Sequence, residues 1–307
     1  MEPSEFIKKV NFLLKNGLTD KEIWKDDLRF LRGKFALKAI ENLSKLLNIF
    51  NFKDNILFEN NVPLINLHGI KFKLDHPIFL KHSGKKYLSQ SLKTIKFIRQ
   101  FDLNPKIIID IGACWGEYSL IFSKEFPNCK IFSIEGSPKN FNTLKHNIEA
   151  NPIIGKTISP FNFIISDYNG VGKITNSLST MNTVTNIQNN HFNQFAEVET
   201  RTLNNFLNDN KLMNVDFIKI DIEGSEISLL NDLKNNLFKI IQIELINYNK
   251  LEDNINFVES LSKIYNFYDA EDFKLLNMSN LKYIITENLP KQVSLDLYLI
   301  NKNYKDV

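Results

Sequence analysis

From Lys106 onward, short apolar runs alternate with segments of helical spacing, and this alternation constrains the fold more than any other feature of the chain. Lys106 to Ile111, Lys130 to Ile134, Phe161 to Ile165, Val215 to Ile220 and Lys239 to Leu245 are rich in Ile, Val and Phe. Runs that are apolar at nearly every position suit strands covered on both faces, as in a parallel sheet. Between them, 118–125, 138–150, 226–234 and 254–265 carry apolar residues three and four apart, the helical period. Repeated strand–helix–strand units imply an α/β fold with right-handed crossovers. The spacing also predicts a closing antiparallel pair, Lys282–Glu287 with Ser294–Asn301, joined around Pro290.

The segment before this alternation has a different texture. Phe6, Ile7, Val10, Leu13 and Leu14 form a helical stripe that Gly17 ends, and Thr19 with Glu22 makes a capping box for a second helix. Leu37, Ile40, Leu43, Leu46 and Leu47 form a third stripe. Residues 64–67 and 70–74 read as a hairpin turning at His68-Gly69, and Ser89 to Phe101 as a helix. The expected organisation is a helical extension (1–55), a connecting hairpin and helix that could wall a ligand site (56–104), and a Rossmann-like α/β domain (105–307). Asn176 to Ala196 is polar and reads as a loop with a short strand.

Composition narrows the class. The 307 residues carry a net charge of only +3, so no basic stripe points to nucleic acid. The two cysteines, Cys114 and Cys129, make no CxxC pair, which argues against a zinc site or disulfide framework. The start Met1-Glu-Pro-Ser-Glu-Phe6 lacks a signal-peptide pattern, and no apolar run reaches the roughly 18 residues of a membrane span. A cytoplasmic location follows as the expectation.

The chemistry-bearing residues fall at strand ends. Asp110-Ile-Gly-Ala-Cys-Trp-Gly116 lies between a strand and a helix, where open α/β sheets bind ligands. Its spacing is GxxxG, not the GxGxxG of a pyrophosphate cradle, which suits a ligand bearing an amino acid and a nucleoside. Glu135 ends the next strand, just before Gly136, where an acid can accept hydrogen bonds from ribose hydroxyls. Ser166 and Asp167 end the third strand and could meet an adenine edge. Val215 to Ile220 delivers Asp221 and Glu223 to a loop that turns at Gly224, with Glu244 one strand later. Two carboxylates so close are costly in a dry core and make sense in a solvated cleft.

The strings IIIDIGACWGEYSL, VETRTLNNFL and VDFIKIDIEGSEISLL followed by IQIEL, with the Glu135 strand, resemble the FkbM family of S-adenosylmethionine-dependent methyltransferases over roughly residues 80 to 300. The resemblance implies a class I, Rossmann-like methyltransferase fold: a seven-stranded, mostly parallel sheet with an antiparallel last strand, here with the N-terminal helical extension added. It implies O-methylation, commonly of sugar hydroxyls in glycans, nucleotide-linked sugars or natural products. Carried over by position, Asp110, Gly112, Ala113, Gly116 and Tyr118 would contact the methionine side of the cofactor, and Glu135 the ribose. Cys114, Ser119, Gly136, Ser166, Asp167 and Asp221 complete the expected cofactor set. Family members more often carry Asn than Cys at position 114, and often a small or aliphatic residue at 115, so Cys114-Trp115 departs from the commonest pattern.

A sugar hydroxyl is a poor nucleophile and needs a base or a metal. Asp221 is the first candidate base, with Glu223 and His191 behind it. Asp221 with Glu244 could hold a divalent cation. A small-molecule or glycan acceptor and a homodimer through the N-terminal helices are the expected partners. A nucleotide-sugar or NAD-binding Rossmann enzyme, and an inactive cofactor-binding subunit, stay open as alternatives.

Overall fold

A computed structural model of the chain describes residues 56–59, 62–73, 85–176, 195–236, 238–247 and 249–304. The stripes expected within 1–55, and His191 with most of the polar loop, lie outside the described residues. The chain divides into two compact units, Met1–Tyr87 and Leu88–Val307.

In the first unit, β1 (Ile56–Glu59), β2 (Val62–Leu67) and β3 (Ile70–Lys73) form an antiparallel sheet in that order. The β2–β3 hairpin turns where the sequence suggests. His68 at φ 51° and Gly69 at φ 73° supply the two left-handed residues of a tight hairpin turn.

The second unit is built on an eight-stranded sheet. Helix α1 (Lys85–Gln100) leads to β4 (Ile107–Ile111), α2 (Glu117–Glu125), β5 (Lys130–Ile134), α3 (Pro138–Glu149), a one-turn α4 (Pro152–Gly155) and β6 (Ile158–Phe161). A side sheet follows, made of β7 (Ile164–Ile165), β8 (Gly170–Thr175) and β9 (Phe195–Arg201). The main sheet resumes after α5 (Leu203–Asp209) with β10 (Phe217–Ile220), α6 (Leu230–Asn235), β11 (Ile240–Ile246), α7 (Leu251–Leu261) and β12 (Tyr265–Asp269). It ends with a two-residue β13 (Leu275–Leu276), α8 (Met278–Tyr283) and β14 (Ser294–Asn301). Strand order is β13-β12-β14-β11-β10-β4-β5-β6. Strands β6, β5, β4, β10 and β11 pair in parallel, and β14 runs antiparallel between β11 and β12. This is the expected class I methyltransferase sheet, with β13 added as an eighth, edge strand. The direction of winding reverses between β4 and β10, and open α/β sheets bind ligands at the carboxyl ends flanking such a switch point.

Three local expectations are corrected. Residues 282–287 are not a strand: α8 runs into a π-type turn over Ile284–Asn288. Leu281, Ile285 and Leu289 are buried four apart, so the helical period outweighs the β-like composition. The helix placed over 254–265 ends at Leu261, and Tyr265–Asp269 becomes the strand that pairs with β14, burying Tyr265 and Phe267 in alternation. The run 161–165 divides between two sheets: β6 stops at Phe161 and β7 starts at Ile164. At the break, Asn162 Nδ2 donates to the carbonyls of Glu135 (2.8 Å) and Gly136 (3.0 Å), tying the chain across the end of β5.

Candidate active site

The β4–α2 loop is a string of left-handed turns, with φ 76° at Gly112, 51° at Cys114 and 87° at Gly116. The amides of Gly112 and Ala113 both donate to the Ile134 carbonyl, at 2.9 and 3.0 Å, which folds the loop over β5. A Cβ on Gly112 would stand 1.8 Å from the backbone oxygen of Asp221, so only glycine lets the loops after β4 and β10 touch. Gly116 meets a softer obstacle: a Cβ there would stand 2.6 Å from Leu144 Cδ1, the tip of a side chain. The Glu135 carboxylate clasps this loop. One oxygen accepts from the Cys114 amide at 2.8 Å and the other from the Ser137 amide at 2.7 Å. Burial pushes its pKa up to about 7, against the lowering effect of those two donors. Each oxygen keeps a second lone pair for a hydroxyl donor.

A belt of polar residues crosses the sheet one step below the strand ends. Ser133, Asp110, Lys219, Gln242 and Tyr298 sit side by side on β5, β4, β10, β11 and β14, all buried. Ser119 on α2 donates to Asp110 Oδ2 at 2.6 Å and meets the Ser133 hydroxyl at 2.6 Å. Thr94 on α1 donates to Gln242 at 3.0 Å, and Gln242 Nε2 donates to the Tyr118 hydroxyl at 3.2 Å. Lys219 is the cation of the belt. Its ammonium donates to Asp221 Oδ2 at 2.8 Å, lies 4.0 Å from Asp110 Oδ1 and sits 4.9 Å from the centre of the Tyr118 ring. Burial alone would lower its pKa, but the Asp221 and Asp110 carboxylates outweigh that and hold it above its usual value. Burial raises Asp110, with Lys219 and Ser119 opposing. Among the described residues Asp110 Oδ1 has no hydrogen-bond donor, and the Lys219 ammonium 4.0 Å away compensates its charge.

Beyond the belt comes a row of acids: Asp221 and Glu223 just past the end of β10, Glu244 on β11 and Asp296 on β14. Asp221, Glu223 and Glu244 bring carboxylate oxygens within 4.8 Å of one another, and Asp296 faces Glu244 across the β11–β14 pair. Burial, then the Asp221 charge, pushes Glu223 and Glu244 well above the usual carboxylate range and Asp296 up to about 6. Glu226 is a clamp. Fully buried, it accepts from the amides of Ile222 and Gly224, each at 3.0 Å, and closes the turn in which Glu223 (φ 53°) and Gly224 (φ 100°) are left-handed.

The structure therefore brings Asp110, Gly112, Ala113, Cys114, Gly116, Tyr118, Ser119, Glu135 and Asp221 together around the β4–β10 switch point. Ser119 lies fully buried beneath Asp110, and Gly136 packs against Ile174 and Ile164. Ser166 and Asp167 follow β7 in the side sheet. The Ser166 amide donates to the Arg201 carbonyl at 3.0 Å, and Asp167 is exposed. The residue at the carboxyl end of β6 is Asn162. Sequence reasoning missed Lys219, Gln242, Asn162 and Asp296. The signal for Lys219 is a cation enclosed by apolar residues in a strand that buries both faces.

Residues 110–278, more than half of the chain, match the Methyltransferase FkbM domain. The chain belongs to the FkbM methyltransferase family. The match starts at Asp110 and spans the GxxxG loop, Glu135 and the Asp221–Glu226 turn, so all of the polar belt but Tyr298, and all of the acid row but Asp296, lie within the FkbM domain. No curated protein matches this FkbM chain in sequence. Solved structures of similar fold include the precorrin-6y C5,15-methyltransferase from Geobacter metallireducens GS-15, at 12% identity over 69% of this chain and 86% of that one, TM-score 0.38. Others are M. jannaschii TYW2 in complex with AdoMet (10% identity, 78% and 84% covered, TM-score 0.39) and M. capricolum TrmK in complex with S-adenosyl-homocysteine (17% identity, 71% and 68% covered, TM-score 0.37). Among the described residues no helix is long and apolar enough to cross a membrane.

Proposed function

We propose that this FkbM-family protein is a cytoplasmic enzyme that transfers the methyl group of S-adenosylmethionine to a hydroxyl oxygen, with a sugar of a glycan, nucleotide-linked sugar or natural product as the acceptor class. The observation that carries the reading is the contact of Gly112 with the Asp221 backbone, which sets a carboxylate beside the β4–α2 loop. In this reading the loop from Asp110 to Gly116 takes the methionine side of the cofactor, and Glu135 accepts from the ribose hydroxyls. When bound, S-adenosylmethionine supplies a methyl group on a positively charged sulfur. With the cofactor so held, Asp221 would accept the proton of the acceptor hydroxyl as the methyl passes from sulfur to that oxygen, and the demethylated cofactor would leave. Holding the three reacting atoms in line supplies a large part of the rate.

Asp221, Glu223 and Glu244 offer three oxygens to a divalent cation, fewer than the six or more such ions take, and one Asp221 oxygen already accepts from Lys219. A cation there would orient the hydroxyl. Full turnover after exhaustive chelation assigns the proton to Asp221 alone, whereas loss restored by added Mg²⁺ or Mn²⁺ assigns the group to a metal. Asp221→Asn tests the base directly. Turnover should fall by about 10²–10⁴-fold with S-adenosylmethionine affinity retained. Near-normal single-turnover transfer in the folded variant would overturn the assignment.

A further inference from the structure

Lys219 lies on β10, where Phe217, Ile218 and Ile220 are all fully buried, and is itself only 4% exposed. Burying an ammonium in such a strand is costly, and a hydrophobic side chain of similar volume is often the more stable choice at such a site. The ammonium is held from three sides. Asp110 is fixed by Ser119, which is backed by Ser133. The Tyr118 ring is fixed by Gln242, which Thr94 holds in turn. The third contact is the partly exposed Asp221 carboxylate, whose side chain is 37% exposed while that of Lys219 is 5% exposed. An acceptor can therefore reach Asp221 but not Lys219.

We propose that Lys219 is a positioning residue for methyl transfer: it anchors one oxygen of Asp221 to the rigid belt and so aims the other at the acceptor hydroxyl. The inference rests on the reading of Asp221 as the base. It also explains why the belt runs through Asp110, which begins the cofactor loop. A single buried cation fixes the carboxylates on the two sides of the switch point relative to one another.

The test is a double-mutant cycle on the full chain. Lys219→Met, Asp221→Asn and the double variant are assayed with methyl-labelled S-adenosylmethionine and a set of p-nitrophenyl pyranosides. Lys219→Met should lose about 100-fold in kcat, the scale of a misplaced reacting group, with acceptor KM unchanged. The double variant should be no slower than Asp221→Asn alone, because Lys219 acts through Asp221. Losses that multiply, or a Lys219→Met protein with normal kcat, would overturn the proposal. Should Lys219→Met fold poorly, Lys219→Gln keeps a donor, and the double variant removes one cation and one anion together. A crystal structure of a Lys219 variant gives an arm independent of any acceptor. The Asp221 carboxylate should leave its present position, and an unmoved carboxylate would overturn the proposal. Failure of the unaltered protein to bind S-adenosylmethionine would instead overturn the proposed function.

Discussion

Replacing Gly112 with Ala puts the junction of the two strand-end loops to a severe test. The added Cβ would lie 1.8 Å from the Asp221 carbonyl oxygen, whereas real Cβ contacts almost never fall under 3.0 Å, so the loops must part by about 1.2 Å (3.0 minus 1.8). The obstacle is backbone, which cannot rotate aside. Alanine at φ +76° adds about 1–2 kcal/mol of left-handed strain, and overpacking adds about 1–3 kcal/mol. A total near 3 kcal/mol corresponds to a fall in Tm of roughly 6–12 °C for a unit of this size. Shifting Asp221 by about 1 Å against the cofactor loop should also cost on the order of 100-fold in transfer rate. Gly136→Ala is the internal control. Its Cβ meets side-chain atoms of Ile174 and Ile164 at 2.9 and 3.0 Å, the nearest backbone atom, Ile164 Cα, lies at an ordinary 3.9 Å, and no positive φ is required. Urea denaturation of the three proteins reads the stability, and single-turnover transfer reads the rate. A Gly112→Ala protein as stable and as active as Gly136→Ala would refute the contact and the placement of Asp221 built on it.

Other outcomes follow from the buried acids. Glu135→Ala should weaken S-adenosylmethionine and its demethylated product by about 1.5–3 kcal/mol in calorimetry, the worth of hydrogen bonds to a charged acceptor. Because the folded Glu135 pKa is raised from 4.5 to about 7, the folded ligand-free protein holds this proton more tightly than the unfolded chain does. Its contribution is present below pH 4.5 and is lost as pH rises through about 7, a change on the order of 3 kcal/mol. Tm should therefore fall from pH 5 to pH 7.5, and Glu135→Gln should flatten that slope; an unchanged slope contradicts the burial argument. Glu226→Ala removes the acceptor of the Ile222 and Gly224 amides and should cost about 3 kcal/mol in urea denaturation. A loss under about 0.5 kcal/mol, the size of an ordinary surface change, would show that the clamp is dispensable.

Much of this was legible in the sequence because the same residues set both fold and site. The runs at 106–111, 130–134, 215–220 and 239–245 are apolar on both faces, and strands with that property have few places to go but the middle of a parallel sheet. Gly112 and Gly116 were readable because a tight strand-to-helix turn favours glycine, and Glu135 because it ends an apolar run just before Gly136. What escaped depended on pairing, which one strand cannot reveal. Nothing within the run 161–165 announces that it changes sheets at Asn162. The stretch around Ile284 has β-forming composition, but Leu281, Ile285 and Leu289 face the core with helical spacing. Lys219 and Gln242 read as ordinary polar positions until the register sets them beside Asp110 and Tyr298, and Asp296 becomes part of the acid row only because β14 inserts next to β11.

Isothermal titration of the full chain with S-adenosylmethionine, S-adenosylhomocysteine, NAD and UDP-glucose tests the central claim most directly. The two adenosyl sulfur compounds should bind one per chain, both weakened by Glu135→Ala, while NAD and UDP-glucose give no heat beyond dilution, since the GxxxG loop lacks a pyrophosphate cradle. Saturable binding of NAD with none of S-adenosylmethionine would contradict the account.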